Sequence, residues 1–254
     1  MAKKLILLAG QSNMSGRGYL TEEDIKAIPG ISALRWDKVW IPAADPFNFD
    51  RINSLGLNES NDPFEERGIE VNGKRRCGVG PGRTFAKLFK EKFGFEDIGI
   101  IPTSIGGTPI ASWFPGGKDV LSDRHPYDDA IEMARFAQKE GDIAVILWHQ
   151  GESDVVLQTE NYKEKLITVI NNLRKELNIE RVPVILGGLG EFLKFEKNSV
   201  YTQLIKEAAE ELPLAGFVSA EGLNHRGDNL HFDTPSQYEL GKRYFKEYCR
   251  LLGL

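Results

Sequence analysis

The sequence predicts an α/β fold, a single domain built on a parallel sheet with helices on both faces. Three observations predict it. Short, continuous apolar runs occur at five places along the 254 residues. Each is followed by a segment with apolar residues at helical spacing. The alternation of the two persists to the end of the chain. Continuous runs suit strands covered on both faces, and strand–helix alternation suits a parallel sheet joined by right-handed crossovers.

The first strand is Leu5–Ala9. Lys3-Lys4 before it imitates the start of a signal peptide, but the apolar run is too short for one and polar Gln11-Ser12-Asn13 follows at once. From Tyr19 to Gly78 the chain is rich in Pro, Asn, Asp and Gly. This reads as a long excursion over the top of the sheet, with a short strand or hairpin around Leu34–Ile41. Long irregular segments inside compact domains often serve as lids or binding loops. Pro81–Phe93 follows as a helix with Phe85, Leu88 and Phe89 on one face and Gly94 as its stop. The remaining predicted strands are Ile98–Pro102, Ala144–Trp148, Val182–Leu186 and Ala215–Ser219. Between and after them lie helices at Tyr127–Lys139, Tyr162–Leu177, Val200–Leu212 and Gln237–Leu252. No repeat, low-complexity tract or linker interrupts the series, so residues 1–254 read as one domain.

Composition excludes several function classes. Apolar residues make up 41% and charged residues 27%, and the net charge is −5. A mildly acidic surface attracts neither nucleic acid nor an anionic membrane. Lys74-Arg75-Arg76 is the only compact basic run and reads as solvated. Cys77 and Cys249 are far apart and suggest two reduced thiols rather than a zinc site or a disulfide framework. No stretch approaches the roughly 20 apolar residues of a membrane span, so a cytoplasmic location is the default expectation. The sequence carries no signal for an oligomeric state.

Chemistry gathers where an open parallel sheet binds its ligands, beyond the carboxyl ends of the strands. The five segments there are Gly10–Met14, Ser104–Thr108, His149–Asp154, Gly187–Gly190 and, after a short loop, Asp228–His231. All are polar or Gly-rich, and together they supply what acyl transfer requires. A serine hydroxyl, Ser12, needs a base to take its proton. His231 suits that task because imidazole titrates near neutrality. Asp228, three residues earlier, can hold the imidazole in the required tautomer. The N–H groups of Ser12 and Gly107 and the side-chain amide of Gln150 can serve as donors to an oxyanion. Arg17, Trp113 and Glu152 are candidate substrate contacts. Glu152 and Asp154 also read as braces for the loop that holds Gln150. His125 and His225 read as structural, and His149 as a partner for a loop.

Taken together these blocks resemble the SGNH-hydrolase superfamily, and within it the carbohydrate-esterase and sialate O-acetylesterase-like branch that includes acetylxylan esterases of carbohydrate esterase family 6. The resemblance is carried by Leu-Ala-Gly-Gln-Ser-Asn-Met at 8–14, Ser-Ile-Gly-Gly-Thr at 104–108, Trp-His-Gln-Gly-Glu-Ser-Asp at 148–154 and Asp-Asn-Leu-His-Phe at 228–232. Val79-Gly80-Pro81-Gly82 adds to it. It implies a flavodoxin-like, three-layer α/β/α fold with a five-stranded parallel sheet. It also implies a triad of Ser12, Asp228 and His231, and an oxyanion hole of Ser12, Gly107 and Gln150, with Gly106 the alternative to Gly107. It implies no metal or organic cofactor. The substrate it implies is an acetylated carbohydrate, either xylan oligosaccharides or sialic acids. The chain departs from the wider superfamily in having Gly-Gln-Ser for Gly-Asp-Ser and Gln150 for the oxyanion asparagine, and both departures fit the branch. Met14 also rules out the Gly-x-Ser-x-Gly elbow of α/β-hydrolases.

Two other readings compete. His149, Glu152, Asp154, Asp228, His231 and Asp233 offer enough oxygen and nitrogen for a metal-dependent hydrolase. A non-catalytic carbohydrate-binding protein on the same fold is the other, and an intact triad argues against it.

Overall fold

The structure is a computed structural model that describes residues 2–48, 78–120 and 122–254, and the backbone of 70–71 and 74–75. Its centre is a seven-stranded sheet in the order β3-β2-β6-β1-β7-β8-β9. The strands are β1 (Lys3–Gly10), β2 (Ile31–Leu34), β3 (Trp40–Pro42), β6 (Ile98–Pro102), β7 (Gly141–His149), β8 (Val184–Gly187) and β9 (Ala215–Val218). A separate two-stranded ribbon pairs β4 (Glu70–Val71) with β5 (Lys74–Arg75). All pairings in the main sheet are parallel except β2 with β3. The five expected strands are therefore five of seven. The other two come from the first part of the 19–78 excursion, which extends the edge of the sheet: Leu34 pairs with Trp40 across a hairpin, and Ile31 lies beside Ile98. Residues 49–69, 72–73 and 76–77 lie outside the described residues, and with them the rest of the excursion, Arg76 of the basic run and Cys77.

Side-chain alternation along β1 divides the interior into two cores. Leu5, Leu7 and Ala9 face one side and pack with α3 (Pro126–Ala137), α5 (Tyr162–Glu176) and α6 (Asn198–Glu211). Ile6 and Leu8 face the other and pack with α2 (Pro81–Phe93) and α7 (Thr234–Leu251). The period of two in the strand thus feeds two helical layers at once. Helical period does the rest: Leu166, Val169, Ile170 and Leu173 of α5 are all buried. Between α2 and α7 the aromatic rings of Phe85, Phe89 and Tyr248 lie 5.5–5.9 Å apart. Two short helices escape the periodic pattern, α1 (Ser12–Ser15) and α4 (Glu152–Leu157). Among the described residues no helix is long and apolar enough to cross a membrane.

The strand order fixes where a site can form. From the end of β1 the chain departs toward β2, and from the end of β7 it departs toward β8, on the opposite side. The two strands are neighbours, so a crevice opens between their carboxyl ends. There Gly10 pairs with His149, with Gly10 at a φ of +124°. A Cβ on Gly10 would lie 2.1 Å from the His149 carbonyl oxygen, so only glycine allows this approach.

Candidate active site

The turn that carries Ser12 starts at this crevice. The Gln11 N–H donates to the His149 carbonyl at 2.8 Å, and the chain then coils into α1 with Ser12 as its first residue. Ser12 is 6% exposed. No side chain caps this short helix. The Gln11 side-chain oxygen instead accepts from the N–H groups of Gly151 and Ser153, at 3.3 and 3.4 Å, which ties the β1 turn to the β7 turn.

The loop between β9 and α7 supplies the partners. It is held as a narrow hairpin by a bridge between His225 and Phe232 and by the Arg226 N–H to the His231 carbonyl, 2.9 Å. At its tip Asp228 Oδ1 accepts the backbone N–H groups of Leu230 and His231, at 3.0 and 2.8 Å. This local turn swings the His231 ring back over its own aspartate. Helix α7 then starts sharply. Asp233 caps it by accepting from the Ser236 N–H at 2.9 Å, and Pro235 stands in its first turn.

The result is a continuous polar chain. Asp228 Oδ2 accepts from His231 Nδ1 at 2.7 Å. That bond fixes the tautomer and leaves a lone pair on Nε2, which accepts from the Ser12 hydroxyl at 3.0 Å. Burial lowers the His231 pKa below its ordinary value, the bond to Asp228 opposes this, and the nearby charges of Arg17 and Arg226 add to the lowering. Burial raises the Asp228 carboxyl, but the hydrogen bonds from His231 and Arg226 outweigh it and hold the group well below the carboxylate range. The imidazole is thus disposed to be neutral and the carboxylate charged.

Sequence reasoning missed Arg226. Its Nε donates to the same Asp228 Oδ2 at 2.8 Å, and its guanidinium also donates to the Arg17 carbonyl at 2.9 Å. The available signal was an arginine two residues before the aspartate with a glycine between them. Sequence reasoning also missed Asn13, which is fully buried beside Ser12.

Other expected contacts are placed differently. Gln150 does not face the crevice: its amide nitrogen donates to the Thr108 carbonyl at 3.1 Å and to the Asp154 carboxylate, and its oxygen accepts from the Tyr162 hydroxyl at 3.0 Å. With both N–H groups engaged, it has none left for an oxyanion. Asp154 also accepts from the Ile110 N–H at 2.9 Å, so it braces the loop after β6 against the loop after β7. Trp113 is fully buried, with its indole N–H on Thr108 and its ring edge-on to Trp148, and it presents no surface to a substrate. Arg17 is 5% exposed and donates to the Gly16 carbonyl. Glu152 is 2% exposed and takes the Asn13 amide at 2.5 Å, so it is out of reach of a sugar hydroxyl. Gly107 is partly exposed, with a φ of +80°, on the loop after β6. Among the described residues, no group of three or more His, Cys, Asp or Glu is placed to hold a metal ion.

A serine, a histidine and an aspartate joined in this way, at the carboxyl edge of a wound parallel sheet, have the arrangement of a hydrolase site. Comparison with known proteins narrows the class. Residues 2–250 match the family described as carbohydrate esterase, sialic acid-specific acetylesterase, and the chain belongs to that family. A protein of Arabidopsis thaliana described as a probable carbohydrate esterase is 30% identical over 259 residues, covering 97% of this chain and 92% of its own. The crystal structure of an Arabidopsis thaliana protein superposes with a TM-score of 0.75 at 27% identity, over 98% of this chain and 99% of that one. A carbohydrate acetylesterase from Xanthomonas citri shares the fold, with a TM-score of 0.65 at 17% identity, over 99% of this chain and 57% of that one.

Proposed function

We propose that the protein is a serine esterase that removes acetyl groups from the hydroxyls of a carbohydrate through an acyl-enzyme. The observation that carries the reading is the unbroken relay from Ser12 Oγ through His231 to Asp228, with links of 3.0 and 2.7 Å. Membership of a carbohydrate esterase family supports the substrate class.

In this reading His231 Nε2 takes the Ser12 proton as Oγ attacks the acetyl carbonyl. The imidazolium so formed is stabilised by Asp228. It returns the proton to the departing sugar oxygen, leaving an acetyl–Ser12 ester. Water then attacks that ester, again deprotonated by His231, and acetate leaves as Ser12 recovers its proton. The oxyanion formed in each half is received by N–H donors. The Ser12 and Gly107 backbones are the candidates, together with the Gln11 side-chain nitrogen, whose oxygen is anchored on Gly151 and Ser153. The family description favours O-acetylated sialic acids, and acetylated xylan oligosaccharides are the second class.

The test is acetate release from a panel of acetylated sugars. Ser12→Ala is expected to abolish turnover with an unchanged melting curve, and a serine-directed phosphonate is expected to label Ser12 in the wild type. Near-normal turnover by the folded variant would refute the reading. Since the relay consists of the chain's own groups, exhaustive chelation is expected to leave the rate unchanged. Loss of activity restored by one divalent ion would point to a metal-dependent hydrolase instead.

A further inference from the structure

We propose that Asn13 and Glu152 are positioning residues that clamp the His231 loop onto the nucleophile turn, an inference that rests on the Ser12–His231–Asp228 reading. The tip of the loop carrying the base has little packing of its own. Asp228 and Asn229 at its tip are exposed, and His231 itself is only partly covered. Yet His231 Nε2 must remain at hydrogen-bonding distance from an oxygen on a different element, 219 positions away in the chain.

One side-chain amide spans that gap. Asn13 Oδ1 accepts from the Phe232 N–H at 3.2 Å, and Asn13 Nδ2 donates to the Leu230 carbonyl at 3.2 Å. The two bonds grip the backbone on either side of His231. The Asn13 backbone carbonyl accepts from Gln237 Nε2 at 3.2 Å, which adds the first turn of α7 to the same anchor. Asn13 follows Ser12 directly, so nucleophile and base are referred to one rigid point. The role needs an acceptor and two donor hydrogens at once, which an amide offers and a carboxylate does not.

Glu152 sets the direction of that amide. Its Oε1 takes the remaining Asn13 hydrogen at 2.5 Å, so the amide cannot flip without losing three bonds. On its other side the carboxylate faces His149 Nε2, 3.4 Å away. Burial raises the Glu152 carboxyl, but hydrogen bonding from His149 and Asn13 outweighs this and holds it below its ordinary range. His149 Nδ1 lies 3.3 Å from the Tyr244 hydroxyl on α7, and the Phe232 ring meets the His149 ring edge-on at 5.6 Å. The end of β7 therefore supports the His231 loop twice, through the Glu152–Asn13 pair and through Phe232. A buried polar cluster of this kind is costly to desolvate, and its best-supported use is to fix one geometry among several.

Single and paired variants of the full chain, assayed on a chromogenic acetyl ester alongside thermal melts, provide the test. Asn13→Ala is expected to lower kcat by about 10- to 100-fold while KM moves less than about threefold, the scale of a catalytic group displaced by about an ångström. In a His231→Ala background the same change is expected to cause no further loss, because its effect passes through the histidine. Glu152→Gln keeps an oxygen for the Asn13 amide and is expected to retain most activity, whereas Glu152→Ala is expected to fall with Asn13→Ala. Asn13→Asp preserves volume and the acceptor for Phe232 but removes the donors. It is expected to lose kcat equally, and it serves if the alanine variant melts too low to assay. Unchanged kcat in a folded Asn13 variant, or a full second drop in the His231→Ala background, would overturn the proposal. A wild type with no esterase turnover would instead overturn the functional reading beneath it, a result distinct from an active enzyme indifferent to Asn13.

Discussion

At the scale of single residues, burial sets the direction of the His231 pKa, and two side chains share the oxygen that opposes it. Asp228 Oδ2 accepts from both His231 Nδ1 and Arg226 Nε, at 2.7 and 2.8 Å. A shared carboxylate stabilises the imidazolium less than one devoted to it, and the guanidinium adds direct repulsion. Burial first, and then the charges of Arg17 and Arg226, lower the His231 pKa from its ordinary 6.5, against the opposing bond to Asp228. In the proposed mechanism the base must be neutral to accept the serine proton, so a lowered pKa keeps it competent to a more acidic pH. Activity is therefore expected to fall only as pH drops below about 6.5, through the lowered pKa. Arg226→Gln removes the repulsion and frees Oδ2 for His231, so the acid limb of the pH–kcat profile is expected to move to higher pH. A limb that stays in place or moves lower would contradict this account. That Ser12, Asp228 and His231 come together was legible in the sequence because each follows a strand end with chemistry suited to one task. Gln150, Trp113 and Arg17 were misplaced because position after a strand does not determine side-chain direction. Gln150 sits at the expected edge and turns inward, toward Thr108, Asp154 and Tyr162.

At the scale of elements, the close approach of β1 and β7 determines where Ser12 stands. Gly10 allows it, with its positive φ and 2.1 Å between a hypothetical Cβ and the His149 carbonyl. Gly10→Ala must break the Gln11–His149 bond or shift a strand, and positive φ alone costs an alanine about 1–3 kcal/mol. The expected outcome is a lower melting temperature together with a loss of kcat larger than stability explains, measured on the fraction that remains folded. Unaltered kcat would show that the turn carrying Ser12 does not depend on this contact. Five strands were legible because each overlaps a continuous apolar run followed by a segment of helical period. The helix over Pro81–Phe93 was legible to the residue, because a proline opens it and Gly94, at a φ of +67°, closes it. The hairpin of β2 and β3 was legible around Leu34–Ile41, but its place at the edge of the main sheet was not, because its strands are short and set among Pro, Gly and charged residues. What makes them strands is tertiary: β6 supplies a free edge for Ile31 to Ala33. Helices α1 and α4 are too short to show a period at all.

At the scale of the whole molecule, stability and chemistry occupy different regions. The aromatic cluster of Phe85, Phe89, Phe93 and Tyr248 joins α2 to the C-terminal part of α7. His231 precedes the opposite end of that helix. Phe89 is fully buried, and its removal leaves a cavity among rings that cannot easily collapse. Phe89→Ala is expected to destabilise by about 3–5 kcal/mol, as buried phenylalanine truncations do, while kcat of the folded enzyme changes little. Denaturant unfolding paired with active-site titration separates the two quantities. A large fall in kcat per active site would mean that the helix transmits core packing to the loop.

The hydrogen bond between Ser12 and His231 closes a span of 219 positions. In the proposed mechanism nucleophile and base are therefore never on the same short piece of chain. Cut between β9 and the His225 loop, the molecule becomes a large fragment with a serine but no base and a small one with a base but no serine, each silent alone. Acetyl ester hydrolysis on mixing would then count docked pairs, one signal for each α7 seated beside α2. The wide separation thus makes turnover a report on assembly, readable without a label.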